Sequence, residues 1–305
     1  MKKKFLILGG TGFLGSHLTK ILVKRDSNKI TCTFNLKKKF KKIKKVKNIK
    51  CDISNKKNIK NLGSNYDYVI NFAGYVDHKK KDKTINSHYL GCKNLADFFS
   101  NKKIKLFIQI GSSLEYGKKN SPHKETIVNN ITEMKSFYSR SKLMATKYLK
   151  KLSDKNLLNV CVVRPYLVYG PGQDYNRIIP IVMKSAIKNL CFDCSDGKQK
   201  RDFLYISDFI GLMIKIINKK NIKFEIFNAG SGKPISIKYI IKKIIFLVGK
   251  GKPNFGAIKS RIDEALETYA SVIKTRKKLN WYPKVNFDEG LKKTYKFYKN
   301  DIRKS

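Results

Sequence analysis

A short apolar strand, a glycine turn and an amphipathic helix follow one another at the start of the chain, and this junction constrains the fold more than any other stretch. Phe5-Leu6-Ile7-Leu8 run into Gly9-Gly10-Thr11-Gly12-Phe13-Leu14-Gly15. The spacing Gly9-x-x-Gly12-x-x-Gly15 suits a dinucleotide pyrophosphate. Two glycines let the backbone turn sharply and approach the phosphates, and the third lets helix pack on strand. The anion then sits on the free N–H groups of the helix start. Taken alone, the same spacing also describes an ordinary strand-to-helix turn. Its setting favours the dinucleotide: Lys3 to Leu8 reads as a buried parallel strand, and Leu14, Leu18, Ile21 and Leu22 recur at helical spacing.

Strand and helix patterns then alternate. Lys29 to Phe34 reads as strand two, Lys37 to Lys50 as a lysine-rich connection, and Ile49 to Ile53 as a short segment whose Asp52 can meet an adenine edge. Tyr68 to Phe72 is a strand opening into Ala73-Gly74, Ile85 to Phe99 has a helical period, and Lys105 to Ile110 is a strand. A long helix follows over Ser136 to Leu152, and Val160 to Val163 is a strand stopped by Arg164-Pro165. This rhythm predicts an α/β fold, a doubly wound parallel (Rossmann) sheet with helices on both faces and ligands beyond the carboxyl ends of the strands. Past Tyr169-Gly170-Pro171-Gly172 the pattern loosens into short helices and turns, ending in an amphipathic segment from Phe287 to Tyr298. The expected division is a dinucleotide-binding domain over residues 1–170, with later strands interleaved, and a smaller α/β substrate-binding region over residues 171–305.

The formal charge of +45 raises the question of nucleic acid. Only eight of the 67 basic residues are Arg, and the lysines are spread over nearly every surface segment. A dedicated binder would use the guanidinium fork, so the reading is lysine enrichment of solvated faces, with no specific nucleic-acid partner and at most weak polyanion binding. No apolar run reaches the roughly 20 residues a membrane span needs. Gly9 and Gly10 cut the first apolar run at four residues, short of the roughly seven of an export segment, so a cytoplasmic protein is expected. The six cysteines show no disulfide framework, and Cys191-x-x-Cys194 lacks the second pair of a zinc site, so no metal is expected.

Tyr138-Ser139-Arg140-Ser141-Lys142 sets a phenol and an ammonium at i and i+4, on one face of the long helix. An ammonium there favours the phenolate and makes Tyr138 a candidate acid or base. A surface Tyr beside a surface Lys is the competing reading in so lysine-rich a chain. Ser112 and Ser113, however, fall just past the strand ending at Ile110, at the carboxyl edge where a cofactor would lie. A serine there can hydrogen-bond the oxygen that exchanges its proton with Tyr138.

At these motifs the chain resembles the extended short-chain dehydrogenases/reductases, in particular the NAD(P)-dependent nucleotide-sugar epimerase/dehydratase group. The resemblance runs through Gly9 to Gly15, Asp52, Asn71-Phe72-Ala73-Gly74, Gly111-Ser112-Ser113-Leu114-Glu115-Tyr116-Gly117, Tyr138 to Lys142 and Arg164 to Gly172. It continues through Arg201-Asp202-Phe203 with Asp208, Asn228-Ala229-Gly230-Ser231-Gly232 and Arg261. It implies Ser112, Tyr138 and Lys142 as catalytic residues. It implies cofactor contacts from Gly9, Thr11, Gly12, Phe13, Leu14, Gly15, Asn35, Asp52, Ile53, Phe72, Ala73, Gly74, Tyr138, Lys142 and Tyr166. It implies a nucleotide sugar met by Ser113, Arg177, Arg201 and Arg261, and often a homodimer. Sparing use of Arg supports the three arginines independently, because a diphosphate asks for a planar fork.

Departures from the family pattern sharpen the expectation. Ser113-Leu114 stand where dehydratases carry an Asp-Glu pair, so dehydration is disfavoured. His88 and Leu167 stand where Asn is common, and a lone His88 reads first as a core or interface histidine. Thr33-Phe34-Asn35, followed by Lys37 to Lys39, lacks the acid that binds an NAD ribose, which leaves the cofactor as NADP or NAD. The expected activity is hydride transfer at C4 of a nucleotide-linked hexose, by a 4-ketoreductase ahead of a UDP-glucose 4-epimerase-type isomerase. A noncatalytic cofactor-sensing or RNA-binding relative is the alternative of another class, and it tends to lack the Tyr or Lys present here.

Overall fold

Apolar runs bounded by turns form the strands, and periodic apolar residues form the helices that cover them. The computed structural model describes residues 3–25, 27–35, 42–75, 80–259 and 265–303. The chain forms two compact units, one of Met1–Gly117, Glu125–Pro165 and Met213–Phe227, the other of Lys118–Lys124, Tyr166–Leu212 and Asn228–Ser305.

In the first unit the elements are β1 (Lys4–Leu8), α1 (Phe13–Val23), β2 (Lys29–Phe34), β3 (Val46–Lys50), α2 (Lys56–Lys60) and β4 (Tyr68–Asn71). They continue with α3 (Lys81–Ile85), a π-turn (Asn86–Leu90), α4 (Gly91–Phe99), β5 (Leu106–Ile110), α5 (Phe137–Asp154) and β6 (Val160–Pro165). β1 pairs in parallel with β2 on one side and β4 on the other. Phe5 to Leu8 are wholly buried, as expected of a strand covered on both faces. Leu6, Val69, Phe107 and Val160 pack in one core with Leu95 and Phe99 of α4 and Leu149 of α5. Each such side chain contributes roughly 1.5–3 kcal/mol through burial.

The short segment read at residues 49–53 begins inside a strand that starts three residues earlier, Val46–Lys50, paired with β2 from Ile30↔Val46 to Phe34↔Lys50. It is the edge strand of the sheet, and its lysines and half-buried apolar residues leave no apolar run to read. Asp52 and Ile53 therefore follow the strand instead of belonging to it.

The chain continues with β7 (Leu167–Tyr169), α6 (Ile178–Ile187), β8 (Cys191–Cys194), β9 (Lys200–Tyr205), α7 (Ile206–Asn218) and β10 (Phe224–Ala229). After these come β11 (Pro234–Ser236), α8 (Ile237–Val248), β12 (Lys252–Phe255), β13 (Glu267–Thr268), α9 (Ile273–Leu279) and α10 (Phe287–Ile302). β10 completes the sheet of the first unit, whose order is β10-β6-β5-β4-β1-β2-β3. The order reverses between β1 and β4, and that switch point is where such sheets open a crevice for a ligand.

The second unit is less irregular than expected, because α6, α8 and α10 run to 10, 12 and 16 residues. β11, β9 and β13 form one of its sheets, with β7 also pairing β9, and β12 pairs in parallel with β8 in another. The Asp202 carboxylate, buried in β9, accepts from the Ser231 amide and hydroxyl and from the amides of Gly232 and Ala270. A Cβ on Gly230 would stand 2.4 Å from Asp202 Oδ2. Asp208 accepts from the amides of Lys284 and Val285. The Asp202, Asp208 and Gly230-Ser231-Gly232 motifs thus serve the frame of this unit. Among the described residues no helix is long and apolar enough to cross a membrane, and no His/Cys/Asp/Glu group could hold a metal ion.

Candidate active site

The turn after β1 is shaped by close backbone approach. Gly9 has φ +69°, and the Gly12 amide donates to Gly9 O at 3.0 Å. A Cβ on Gly15 would meet Gly9 O at 2.4 Å, and one on Gly9 would meet Ala73 N at 2.9 Å. The glycine turn therefore rests against the Phe72-Ala73 turn after β4, itself held by the Asn71 side chain accepting from the Ala73 amide. Gly12 caps α1 with no side-chain bond, and the first helical turn carries no acidic residue. These are cradles that only glycine fits, at a helix start with amides for an anion, and they suit a pyrophosphate. Thr11, Phe13 and Leu14 line the same turn and first helical residues. Gly15→Ala is expected to weaken cofactor binding about tenfold or more, about 1.4 kcal/mol, as read by cofactor fluorescence titration. An unchanged affinity would remove the pyrophosphate from this turn.

Asn35 and Asp52 meet beyond the ends of β2 and β3. The Asp52 carboxylate accepts from the Ser54 amide and hydroxyl, at 2.9 and 2.7 Å, and from the Asn35 side chain. Burial works to raise its pKa, but the hydrogen bonds from Ser54 and Asn35 outweigh burial and hold it below the usual carboxylate range. The Ile53 side chain lies in the core, where a Cβ on Gly91 would approach it to 2.6 Å, so it can offer a cofactor only backbone. Lys37 to Lys39 lie outside the described residues.

Tyr138 and Lys142 share one face of α5, which starts at Ser136, whose hydroxyl accepts from the Ser139 amide. Lys142 Nζ is 5.7 Å from the centre of the Tyr138 ring and donates to Ile110 O at 2.7 Å. It is 5% exposed, and it is the only buried lysine among the described residues. Ile110 ends β5, two residues before Ser112, so one contact ties the ammonium to the strand end that carries the serine. Ser112, also buried, caps the turn Ser113–Tyr116, and Ser113 is that turn's first residue.

Two features escaped the sequence reading. The His88 ring lies edge-on to Tyr138 at 4.9 Å, carried there by the π-turn, with Nε2 3.0 Å from Tyr75 O. It is buried, as expected of a core histidine, and it is also packed on the candidate catalytic phenol. A Cβ on Gly74 would stand 2.2 Å from this ring, which gives that glycine a second reason to be one. The other feature is a buried Glu115–Arg164 ion pair at 2.9 Å. The pattern Ser112-x-x-Glu115 is a capping box and signals the contact of Glu115 with the serine turn, though not its pairing with Arg164.

In the second unit Arg177 caps α6, is exposed, and lines a cavity of about 200 Å³ with Leu167, Val168, Gln173 and Phe203. Arg201 donates to the carbonyls of Lys200 and Ala265, so part of its fork already serves the fold. The Tyr166 hydroxyl is 2.9 Å from His123 Nδ1. Arg261 lies outside the described residues.

The chain is 27% identical to the UDP-glucuronate 4-epimerase of Thermodesulfobacterium geofontis, over 98% of this chain and 97% of that one. It is 28% identical to the CDP-abequose synthase of Salmonella muenchen, over 96% and 97%. The Bacillus cereus UDP-glucuronic acid 4-epimerase, solved with UDP-glucuronic acid and NAD, superimposes with a TM-score of 0.88 at 24% identity, over 97% and 99%. The sequence profile of the NAD dependent epimerase/dehydratase family matches residues 5–230, from β1 through the glycine turn, Ser112, Tyr138 and Lys142 to Gly230, and the chain belongs to that family of enzymes.

Proposed function

We propose that the protein moves a hydride to C4 of a nucleotide-linked 4-keto-hexose, as a 4-ketoreductase using a nicotinamide cofactor. The observation that carries this reading is Lys142: in a chain with 59 lysines, the one buried among the described residues is held beside Tyr138 on the carbonyl of Ile110. Burying an ammonium is costly, and its retention there argues for chemistry.

The nicotinamide, when bound, supplies the hydride. Tyr138 gives its proton to O4, Ser112 donates a hydrogen bond to the same oxygen, and Lys142 stabilises the phenolate left behind and holds the nicotinamide ribose. Gly9 to Gly15 take the pyrophosphate, Asn35, Asp52 and Ile53 the adenosine end, and Phe72, Ala73, Gly74 and Tyr166 the nicotinamide end. Arg177, Arg201 and Arg261 meet the diphosphate or nucleotide, and Ser113 the sugar. Water elimination is not expected, because Leu114 offers a half-exposed apolar side chain where a dehydratase has an acid.

Reduction is favoured over epimerisation by one feature just past the end of β2. Asn35, the residue after β2, is neutral and does not itself repel a 2′-phosphate. The second reading, a 4-epimerase, is supported by the nearly full-length likeness to UDP-glucuronate 4-epimerase. Incubation with UDP-, dTDP-, GDP- and CDP-linked 4-keto-6-deoxyhexoses and NADPH is expected to consume about one cofactor per sugar reduced. Protein that purifies with NAD and interconverts UDP-glucose and UDP-galactose without added cofactor would replace the reductase by the epimerase.

The same geometry predicts cofactor choice. NADPH is expected to bind at least as tightly as NADH, with a margin that shrinks as salt rises, since any lysine contribution is screened over about 10 Å at 0.1 M. Titrating both cofactors at two salt concentrations checks this. A clear NADH preference at both would remove the argument from Asn35.

A further inference from the structure

We propose that Glu115 is a positioning residue for Ser112, setting the serine against the helix that carries Tyr138 and Lys142; the proposal rests on the reading of those three residues as catalytic. Glu115 is wholly buried, the only buried glutamate among the described residues. Its two carboxylate oxygens face different elements. Oε1 accepts from the Ser112 amide at 2.8 Å, while the Ser112 hydroxyl accepts from the Leu114 amide, so the carboxylate and the serine hold one turn between them. Oε2 accepts from Thr146 Oγ1 at 2.8 Å and from Arg164 Nε and Nη2 at 3.0 and 2.9 Å.

Thr146 stands one helical turn beyond Lys142 on α5, and Arg164 belongs to β6. A single carboxylate therefore ties together the serine turn after β5, the helix of Tyr138 and Lys142, and the neighbouring strand. The surroundings are built to keep it there. Arg164 stacks on the buried Tyr116 ring at 4.5 Å, and Asn129 donates to Glu115 O at 2.6 Å. Gly111 leaves the space Oε1 occupies, since a Cβ would stand 2.4 Å from it.

A buried carboxylate that accepts from four side-chain or amide donors, one from Ser112, one from Thr146 and two from Arg164, is rigid. Replacing it by an amide turns one donor–acceptor contact into donor against donor, at the Ser112 amide or at the guanidinium. Either way the serine turn shifts relative to α5, and displacements near 1 Å cost about 10²-fold in rate. Binding of the cofactor and of the nucleotide, which uses other residues, is not touched.

The test is a cycle in kcat with the substrate the protein turns over fastest among the 4-keto-6-deoxy nucleotide sugars and UDP-glucose. Parent, S112A, E115Q and S112A/E115Q are compared. E115Q is expected to lower kcat about 10²-fold with little change in KM, and to have almost no further effect once the Ser112 hydroxyl is gone. If E115Q folds poorly, because Arg164 is left unpaired, E115L/R164M removes both charges and takes its place in the cycle. Its melting temperature is expected near the parent's and its kcat to stay low, which a purely structural role does not predict. Parental kcat in the charge-free pair, or an equal loss in both serine backgrounds, would overturn the proposal. Parental kcat in S112A would overturn the catalytic reading itself, and is read from that single variant.

Discussion

Tyr138→Phe is expected to lower turnover by about 10² to 10⁴-fold, the usual worth of a positioned general acid or base. Cofactor and nucleotide-sugar affinities are expected to stay near the parent's. The reason for the split lies in what the ring does apart from its hydroxyl. It packs edge-on against His88 at 4.9 Å and lies 5.7 Å from Lys142 Nζ, and a phenylalanine ring keeps both contacts. Only the transferable proton is lost, and it is used in the transition state alone, so kcat falls while KM holds. Steady-state kinetics beside a cofactor titration measures the two effects. Near-parental turnover in the Phe variant would take the proton-transfer role away from Tyr138.

Lys142→Met is expected to damage turnover and cofactor binding together. Methionine keeps the apolar stem and much of the volume, so packing is preserved to within about 1.5 kcal/mol. The carbonyl of Ile110 that loses the ammonium keeps a hydrogen bond from Gln109 Nε2 at 2.9 Å, so the buried acceptor is not orphaned. On the proposed mechanism the main loss is functional: no charge stabilises the phenolate, and no ammonium is left for the nicotinamide ribose. Turnover is expected to fall by at least about 10²-fold, with cofactor affinity weaker as well. Comparison with Tyr138→Phe separates the roles, since only the lysine variant loses affinity. A lysine variant with parental affinity would confine Lys142 to the proton step.

The parts of this architecture that repeat a physical rule were legible in the sequence. Phe5 to Leu8 form a buried central strand because nothing polar interrupts them, and Gly9 and Gly15 mark a turn whose backbone approaches leave no room for a Cβ. Tyr138 and Lys142 fall on one helix face by spacing alone. What stayed illegible depends on tertiary pairing. β3 is held by main-chain pairing with β2, and its lysine-rich residues carry no apolar signal. The π-turn at Asn86–Leu90 interrupts a helical period that reads as continuous, and it delivers His88 to Tyr138. Asp202 and Asp208 read as members of family motifs, and their work proves to be hydrogen bonding the second unit's backbone. Glu115 and Arg164 lie far apart in the chain, so although the capping box was visible, the ion pair was not.

The charge distribution separates surface from site in the same physical terms. Lysines on solvated faces cost little and say little, whereas a buried ammonium must be held by partners. Lys142 meets that condition through Ile110 O, and Arg164 meets it through Glu115.

Isotope transfer follows the proposed hydride to C4 of a nucleotide-linked hexose, with Tyr138 as the proton donor. The protein is incubated with NADPH deuterated at the transferable position of the nicotinamide C4 and with the panel of 4-keto-6-deoxy nucleotide sugars, and the product is examined by NMR and mass spectrometry. About one deuterium at sugar C4 is expected for each cofactor oxidised, with its near-disappearance in Tyr138→Phe. Deuterium at another sugar carbon, or cofactor oxidation without any label in the sugar, would contradict it.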